Sequence, residues 1–185
     1  GMVNEFPATI VYCGTRDDGQ SPPSASGTSS RAVDDVVTSV AFARDHDLDL
    51  AVRSGGHSVS GASVVSGGLV VDCSRLEWVR VDPNAQTARV GAGADWGLVD
   101  AATQSFGLAT PGGVVSDTGV AGLTLGGGTG YLSSKHGFAA DNLRSIDVVT
   151  GRGERVTATP ERNADLLWAA RGGGTVCVVT AFEFD

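Results

Sequence analysis

The stretch Leu48-Asp-Leu-Ala-Val-Arg53-Ser54-Gly55-Gly56-His57-Ser58, followed by Gly61, decides how the rest of this chain is read. Leu48 to Val52 is a largely apolar run of strand length, and Ser54-Gly-Gly ends it at once. The two glycines fall where the chain must turn sharply off the strand. Lacking side chains, they let backbone N–H groups approach an anion such as a pyrophosphate, and Ser54 and Ser58 add hydroxyl donors. An ordinary glycine-rich turn with a histidine at its tip would look the same, and the residues alone leave both readings open.

Upstream, residues 7–13 read as a short buried strand, and residues 15–31, rich in Ser, Pro and Gly, as a polar loop. From Val33 the period becomes helical, with Val33, Val36, Val37, Val40 and Ala41 on one face and Asp34 and Asp35 expected in the first turn. Downstream, residues 68–72 form another strand. Strand, helix, strand, loop and strand make a small α/β subdomain with a partly parallel sheet, assigned to residues 1–77.

Residues 78–185 have an antiparallel texture. Val79–Val81 and Thr87–Val90 flank Asp82-Pro-Asn-Ala-Gln86, a hairpin signal. Asp95 is placed to cap a helix carrying Trp96, Val99, Ala102 and Phe106 and closed by Gly107. Strands are expected at 145–150, 155–159 and 176–184, with a short helix near 165–169 between the last two. The fold class is therefore α+β, a small α/β subdomain followed by a mixed or antiparallel sheet with flanking helices.

Composition narrows the function. The 185 residues include 41% hydrophobic and 18% charged, enough for a packed core in a globular chain. The 27 glycines are about twice ordinary usage and follow no collagen-like period. A net charge of −8 excludes nucleic acid as the main partner. Lys135 is the only lysine, which suits a high-salt cytoplasm or a GC-rich genome equally well. Cys13, Cys73 and Cys177 are an odd set without C-x-x-C spacing, so neither a disulfide framework nor a metal site is expected. With no apolar run near the ~20 residues of a membrane span and no signal-like N-terminus, no membrane partner and a cytoplasmic location are the default. Gly1 ahead of Met2 reads as a residue left by tag removal.

Three further segments could carry chemistry. Thr118-Gly119-Val-Ala-Gly122-Leu-Thr-Leu-Gly126-Gly127-Gly128-Thr-Gly130 opens with small residues that suit a helix start facing a phosphate, and Pro111-Gly112-Gly113 sets a tight loop before it. It matches neither a P-loop nor a G-x-G-x-x-G site, and no lysine stands where a P-loop needs one, so a kinase or ATPase is excluded. Asp141-Asn142-Leu143 reads on pattern alone as a turn feeding a core strand. Trp168-Ala-Ala-Arg171-Gly-Gly-Gly174 is a common helix-to-strand joint.

Taken in order, the segments 51–58, 68–72, 106–113, 119–128, 141–143 and 167–173 resemble the FAD-binding (PCMH-type) domain of the vanillyl-alcohol oxidase family, more narrowly its berberine-bridge-enzyme-like branch. The resemblance implies FAD as cofactor, with His57 at the position that bonds the 8α-methyl carbon of the flavin. It implies that Arg53, Ser54, Gly55, Gly56, His57, Ser58 and Gly61 meet the cofactor. Pro111, Gly112, Gly113, Thr118, Gly119, Gly122, Gly126, Gly127, Gly128, Asp141, Asn142 and Val149 are expected to do so as well. Val115 occupies the place of a cysteine that forms a second flavin bond in many relatives, so one covalent link is expected. The segment Gly174-Thr-Val-Cys177 is about one residue shorter than the family pattern, which puts that loop in doubt.

Family members continue into a substrate-binding domain, and by this comparison the chain reads as truncated, with that domain absent. The function implied is the FAD module of an oxidoreductase that takes hydride from a CH–OH or CH–NH substrate and is reoxidised by O2. A small-molecule substrate enters only if a substrate domain is supplied. The alternative is a non-catalytic flavin-binding domain that needs a partner chain or homo-oligomerises; a non-flavin nucleotide binder is the remaining one. No general base is evident. Tyr12 and Tyr131, the only tyrosines, are expected to pack in the fold, and His46 and His136 to sit at the surface or at helix ends.

Overall fold

The computed structural model describes residues 6–14, 30–173 and 177–185. The loop expected at 15–31 lies outside the described residues except for its last two, and the shortened segment 174–177 except for Cys177. Strands β1 (Thr9–Tyr12), β2 (Leu50–Arg53) and β3 (Leu69–Asp72) form a three-stranded sheet in the order β1-β3-β2, both pairs parallel. Parallel strands need a crossover, and helix α1 (Ser30–Asp45) supplies it between β1 and β2. Val36 and Val40 on its inner face are buried, as their spacing predicts.

Two expectations fail here. The helix starts at Ser30, not Val33, so Asp34 and Asp35 stand one turn in. Their roles are contacts, not helix-dipole complements: Asp35 accepts from the Gly14 amide at 3.0 Å, and Asp34 pairs with Arg155. Nor is β1 a buried strand, because it is a sheet edge with Ile10 and Tyr12 each 47% exposed.

The second sheet is antiparallel throughout. It comprises β4 (Val79–Asp82), β5 (Thr87–Gly91), β6 (Leu143–Thr150), β7 (Arg155–Ala158) and β8 (Cys177–Phe184), in the order β4-β5-β8-β6-β7. The β4–β5 hairpin forms as its sequence predicts, with the Asp82 carboxylate accepting from the amides of Asn84 and Ala85, each at 3.0 Å. Central β8 is almost wholly buried, since it has partners on both edges.

Helix α2 (Trp96–Gln104) is capped by Asp95, whose Oδ1 accepts from Leu98 N at 2.8 Å. It drives Trp96 into the core, where the indole lies 5.8 Å from the Phe184 ring. Phe106 is not on this helix, which ends two residues earlier. Its ring is exposed beyond the turn that Gly107 closes with φ +68°. Three short helices follow: α3 (Val120–Leu125), α4 (Ser133–His136), which the sequence pattern did not disclose, and α5 (Ala164–Ala170). One buried cluster runs from Cys13 and Val36 through Trp96 to Phe184, joining the two sheets.

Candidate functional site

Strand β2 delivers the chain to the site. Its last residue, Arg53, accepts the amide of Cys73 at 2.7 Å and donates through Nη1 to Asp72 at 2.8 Å. Asp72 is fully buried, and its other oxygen accepts from Ser74 N at 2.9 Å, so the carboxylate keeps partners out of water. The Arg53 guanidinium lies beneath Gly56: a Cβ at that position, with φ +74°, would come 3.1 Å from Nη2. Arg53 thus props the loop from below.

Beyond it, the Ser54 hydroxyl donates to the Ala92 carbonyl, tying the loop to the second half of the chain. Gly55 then meets Gly119 backbone to backbone, and a Cβ on either would stand 2.8–2.9 Å from the other. Only glycine on both sides permits that approach. Two glycine-rich segments 64 residues apart are thereby pressed together.

The partner segment is itself pinned. Trp96 N donates to Thr118 O at 3.1 Å, Gly97 N to Ser116 O at 2.8 Å, and Val120 N to Ala94 O at 2.9 Å. Helix α3 follows at once. It spans six residues, too few for its dipole to add much, and what it offers instead is amides and an open face. A Cβ at Gly122 would meet no atom within 4 Å, because that face borders empty space.

The space is a cleft of about 1170 Å³ between the two sheets. It exceeds the roughly 300–1,000 Å³ of common small-ligand pockets, as an extended ligand requires. Its walls hold ten of the residues expected from sequence: Ser54, Gly55, Gly56, His57, Ser58, Thr118, Gly119, Gly122, Gly126 and Val149. Among the described residues, Arg44 is the only Lys, Arg, Asp or Glu in the lining. With Arg44 paired to Asp45, an anion held here would be met chiefly by hydroxyls and backbone amides. The amides of Gly55, Gly56, His57 and Ser58 donate to no acceptor among the described residues. His57 stands exposed at the cleft wall, its Nε2 3.0 Å from the carbonyl oxygen of Asp117.

Nine expected residues do not line the cleft, and each has work elsewhere. Arg53 supports the loop as described. Gly61 accepts from Val64 N at 3.1 Å within a turn, with φ +78°. Pro111 is buried; Gly112 and Gly113 pack on the Trp96 indole, and Gly130 presses on the Gly112 carbonyl. Gly127 and Gly128, with φ +99° and +75°, accept through their carbonyls from Ala140 N and Ala139 N, each at 2.9 Å. Asp141 accepts from Phe138 N at 2.8 Å, while the Asn142 amide donates to the carbonyls of His136 and Phe138. These last two build the turn into β6.

The lining also includes residues the sequence reading passed over: Val40, Ala43, Leu48 and Leu50 around the end of α1, and Thr150, Gly151 and Cys177 at the ends of β6 and β8. Their apolar spacing signals burial but cannot say whether protein or ligand covers them. Tyr12 and Tyr131 do not pack in the core: Tyr12 lies under the Arg75 guanidinium at the sheet edge, and Tyr131 is 80% exposed. His46 and His136 are exposed at helix ends, as expected. Burial pushes the Cys13 thiol up to about 12, with the Asp35 charge adding to it, and burial raises that of Cys73 as well. Neither is a thiolate at neutral pH.

Comparison with known proteins agrees with this geometry. Residues 30–159 match the FAD binding domain family. The chain is 45% identical over 152 residues to the FAD-linked oxidoreductase pgmH of Aspergillus terreus, covering 81% of this chain and 31% of that protein. The crystal structure of 6-hydroxy-D-nicotine oxidase from Arthrobacter nicotinovorans superposes with a TM-score of 0.80 at 36% identity, covering 83% of this chain and 34% of that one. Xylooligosaccharide oxidase from Myceliophthora thermophila C1, in complex with xylobiose, gives 0.80 at 31% identity over 98% of this chain and 36% of that one. The chain spans about a third of the length of the curated relatives it matches. It belongs to the FAD binding domain family, with the α+β, PCMH-type fold of FAD-linked oxidases.

Proposed function

We propose that the cleft holds FAD in an extended form, with His57 at the isoalloxazine end and the amides of Gly55 to Ser58 around the pyrophosphate. The observation that carries this reading is the meeting of Gly55 and Gly119, which sets two glycine segments at the wall of one cleft. The group fits the residues present. Gly122 leaves open the room a side chain would fill, the lining is mostly apolar or backbone, and uncommitted amides supply what an anion needs.

When bound, FAD supplies the redox chemistry, accepting hydride from a CH–OH or CH–NH carbon and passing electrons to O2. The chain's own residues bind and orient it. His57 offers a ring nitrogen for a single covalent link, and Val115, exposed and without a nucleophilic atom, offers none for a second. The substrate and its base belong to a part of such enzymes beyond this domain. A second reading is a flavin-binding module that turns over nothing by itself; in its favour, the described residues of the lining include no Asp, Glu, Lys or Tyr and no histidine besides His57.

Acid precipitation after incubation with FAD tests the proposal. The wild-type pellet should retain flavin and His57→Ala should release it to the supernatant. A wild-type chain that binds no FAD at all would sink both readings.

A further inference from the structure

We infer that the backbone carbonyl of Asp117, positioned by the Asp95 cap of helix α2, holds the His57 proton on Nε2 and presents Nδ1 to the cleft as the unprotonated nitrogen. The inference rests on the reading that His57 faces the cofactor. It begins from the 3.0 Å contact between Nε2 and Asp117 O. A carbonyl can only accept, and a neutral imidazole carries one N–H, so this contact places the hydrogen on Nε2 and the lone pair on Nδ1.

The ring's orientation agrees. Its Cδ2 atom, which adjoins Nε2, lies 3.7 Å from where a Gly55 Cβ would stand, so the Cδ2–Nε2 edge faces protein. Among the described residues, Nδ1 has no hydrogen-bond partner. A ring nitrogen can bond an electrophilic carbon only through a lone pair, and this tautomer keeps that pair available.

Asp117 is placed by its neighbours. The carbonyls on either side, Ser116 O and Thr118 O, are taken by Gly97 N at 2.8 Å and Trp96 N at 3.1 Å, the first amides of α2. Those amides stay in place because Asp95 Oδ1 accepts from Leu98 N at 2.8 Å and closes the first turn. The intervening carbonyl of Asp117 is left for His57. Asp95 is thus a positioning residue, acting on His57 through α2 and the 116–118 segment without touching it.

A second histidine supplies an internal reference. His46 meets the Phe42 carbonyl through Nδ1 at 2.9 Å, which requires the opposite tautomer. A long-range proton–nitrogen correlation spectrum of the nitrogen-15-labelled chain without flavin, at a pH where the rings are neutral, reads each ring separately. His57 should appear protonated at Nε2 and His46 at Nδ1. Asp95→Ala should shift the His57 tautomer ratio toward that of exposed His136 by about fivefold, the worth of one ordinary hydrogen bond. Asp95→Asn, which also caps well, should keep the wild-type pattern. Gly107→Ala, which strains the far end of α2, should leave His57 unmoved.

The inference is overturned if His57 carries its proton on Nδ1. It is equally overturned if Asp95→Ala leaves the ratio unchanged, or if Gly107→Ala moves it as far. Should Asp95→Ala fail to fold, the wild-type spectrum still decides. No flavin enters this measurement, so a failure of the cofactor reading shows separately, in the acid pellet.

Discussion

Gly55 against Gly119 and Gly130 against Gly112 are both close backbone contacts, the first mutual, the second one-sided: a methyl on Gly130 would strike the Gly112 carbonyl, whereas one on Gly112 would strike the Trp96 indole. The first pair lines the cleft, whereas the second lies outside it, in a joint between the loop that packs on Trp96 and the approach to α4. Gly122 differs from all four, since a side chain there would meet nothing and would project into the cleft. Glycine density therefore marks where backbones crowd, and crowding serves scaffold and site alike. What separates them is whether the crowded backbone borders the cleft. Around Gly127 and Gly128 the backbone is engaged by the turn at 139–142, while the amides of Gly55 to Ser58 have no acceptor among the described residues.

Two substitutions should break the comparison if it is wrong. Gly130→Ala drives a methyl into the Gly112 carbonyl, with backbone on both sides and nothing flexible to yield. Its expected cost is about 3 kcal/mol, the upper end for overpacking, read as a fall in the denaturation midpoint. Flavin binding by the fraction that folds should survive. Gly55→Ala meets the Gly119 backbone at 2.8 Å, a milder overlap at a more exposed place. Its expected cost is about 1–2 kcal/mol, but it should also weaken flavin binding by parting the two segments at the cleft wall. Equal flavin affinity in both variants, measured by fluorescence quenching, would erase the distinction.

Much of the fold is legible in the residues themselves. Asp82-Pro-Asn-Ala-Gln86 specifies its hairpin and Asp95 its helix start, because turn and cap chemistry are local. What escapes is set at a distance. Strand β1 is apolar enough to read as buried, yet its exposure follows from its place at a sheet edge. Phe106 keeps helical spacing with Val99 and Ala102, but the chain has left the helix by then. The site shows the same limit. The loop 54–58 stands out because two glycines follow directly on a strand, but those residues alone fit an ordinary turn as well as an anion site. Asp141 and Asn142 were expected along the cofactor, and the structure gives their side chains to the turn before β6. Val40, Ala43 and Cys177 become site residues only because a crossover helix and a strand from the far end of the chain close over one space.

The central claim, that this cleft is where FAD sits, is tested most directly at Gly122. Leucine there should be tolerated by the fold, since the position is helical and open, and it should add up to ~1 kcal/mol of helix propensity. The measurement is the flavin-to-protein ratio after FAD incubation and gel filtration, with thermal unfolding of the same samples. The account predicts stoichiometric flavin on the wild type, and almost none on Gly122→Leu at an unchanged or higher Tm without added cofactor. A well-folded Gly122→Leu chain that retains flavin as the wild type does would contradict it.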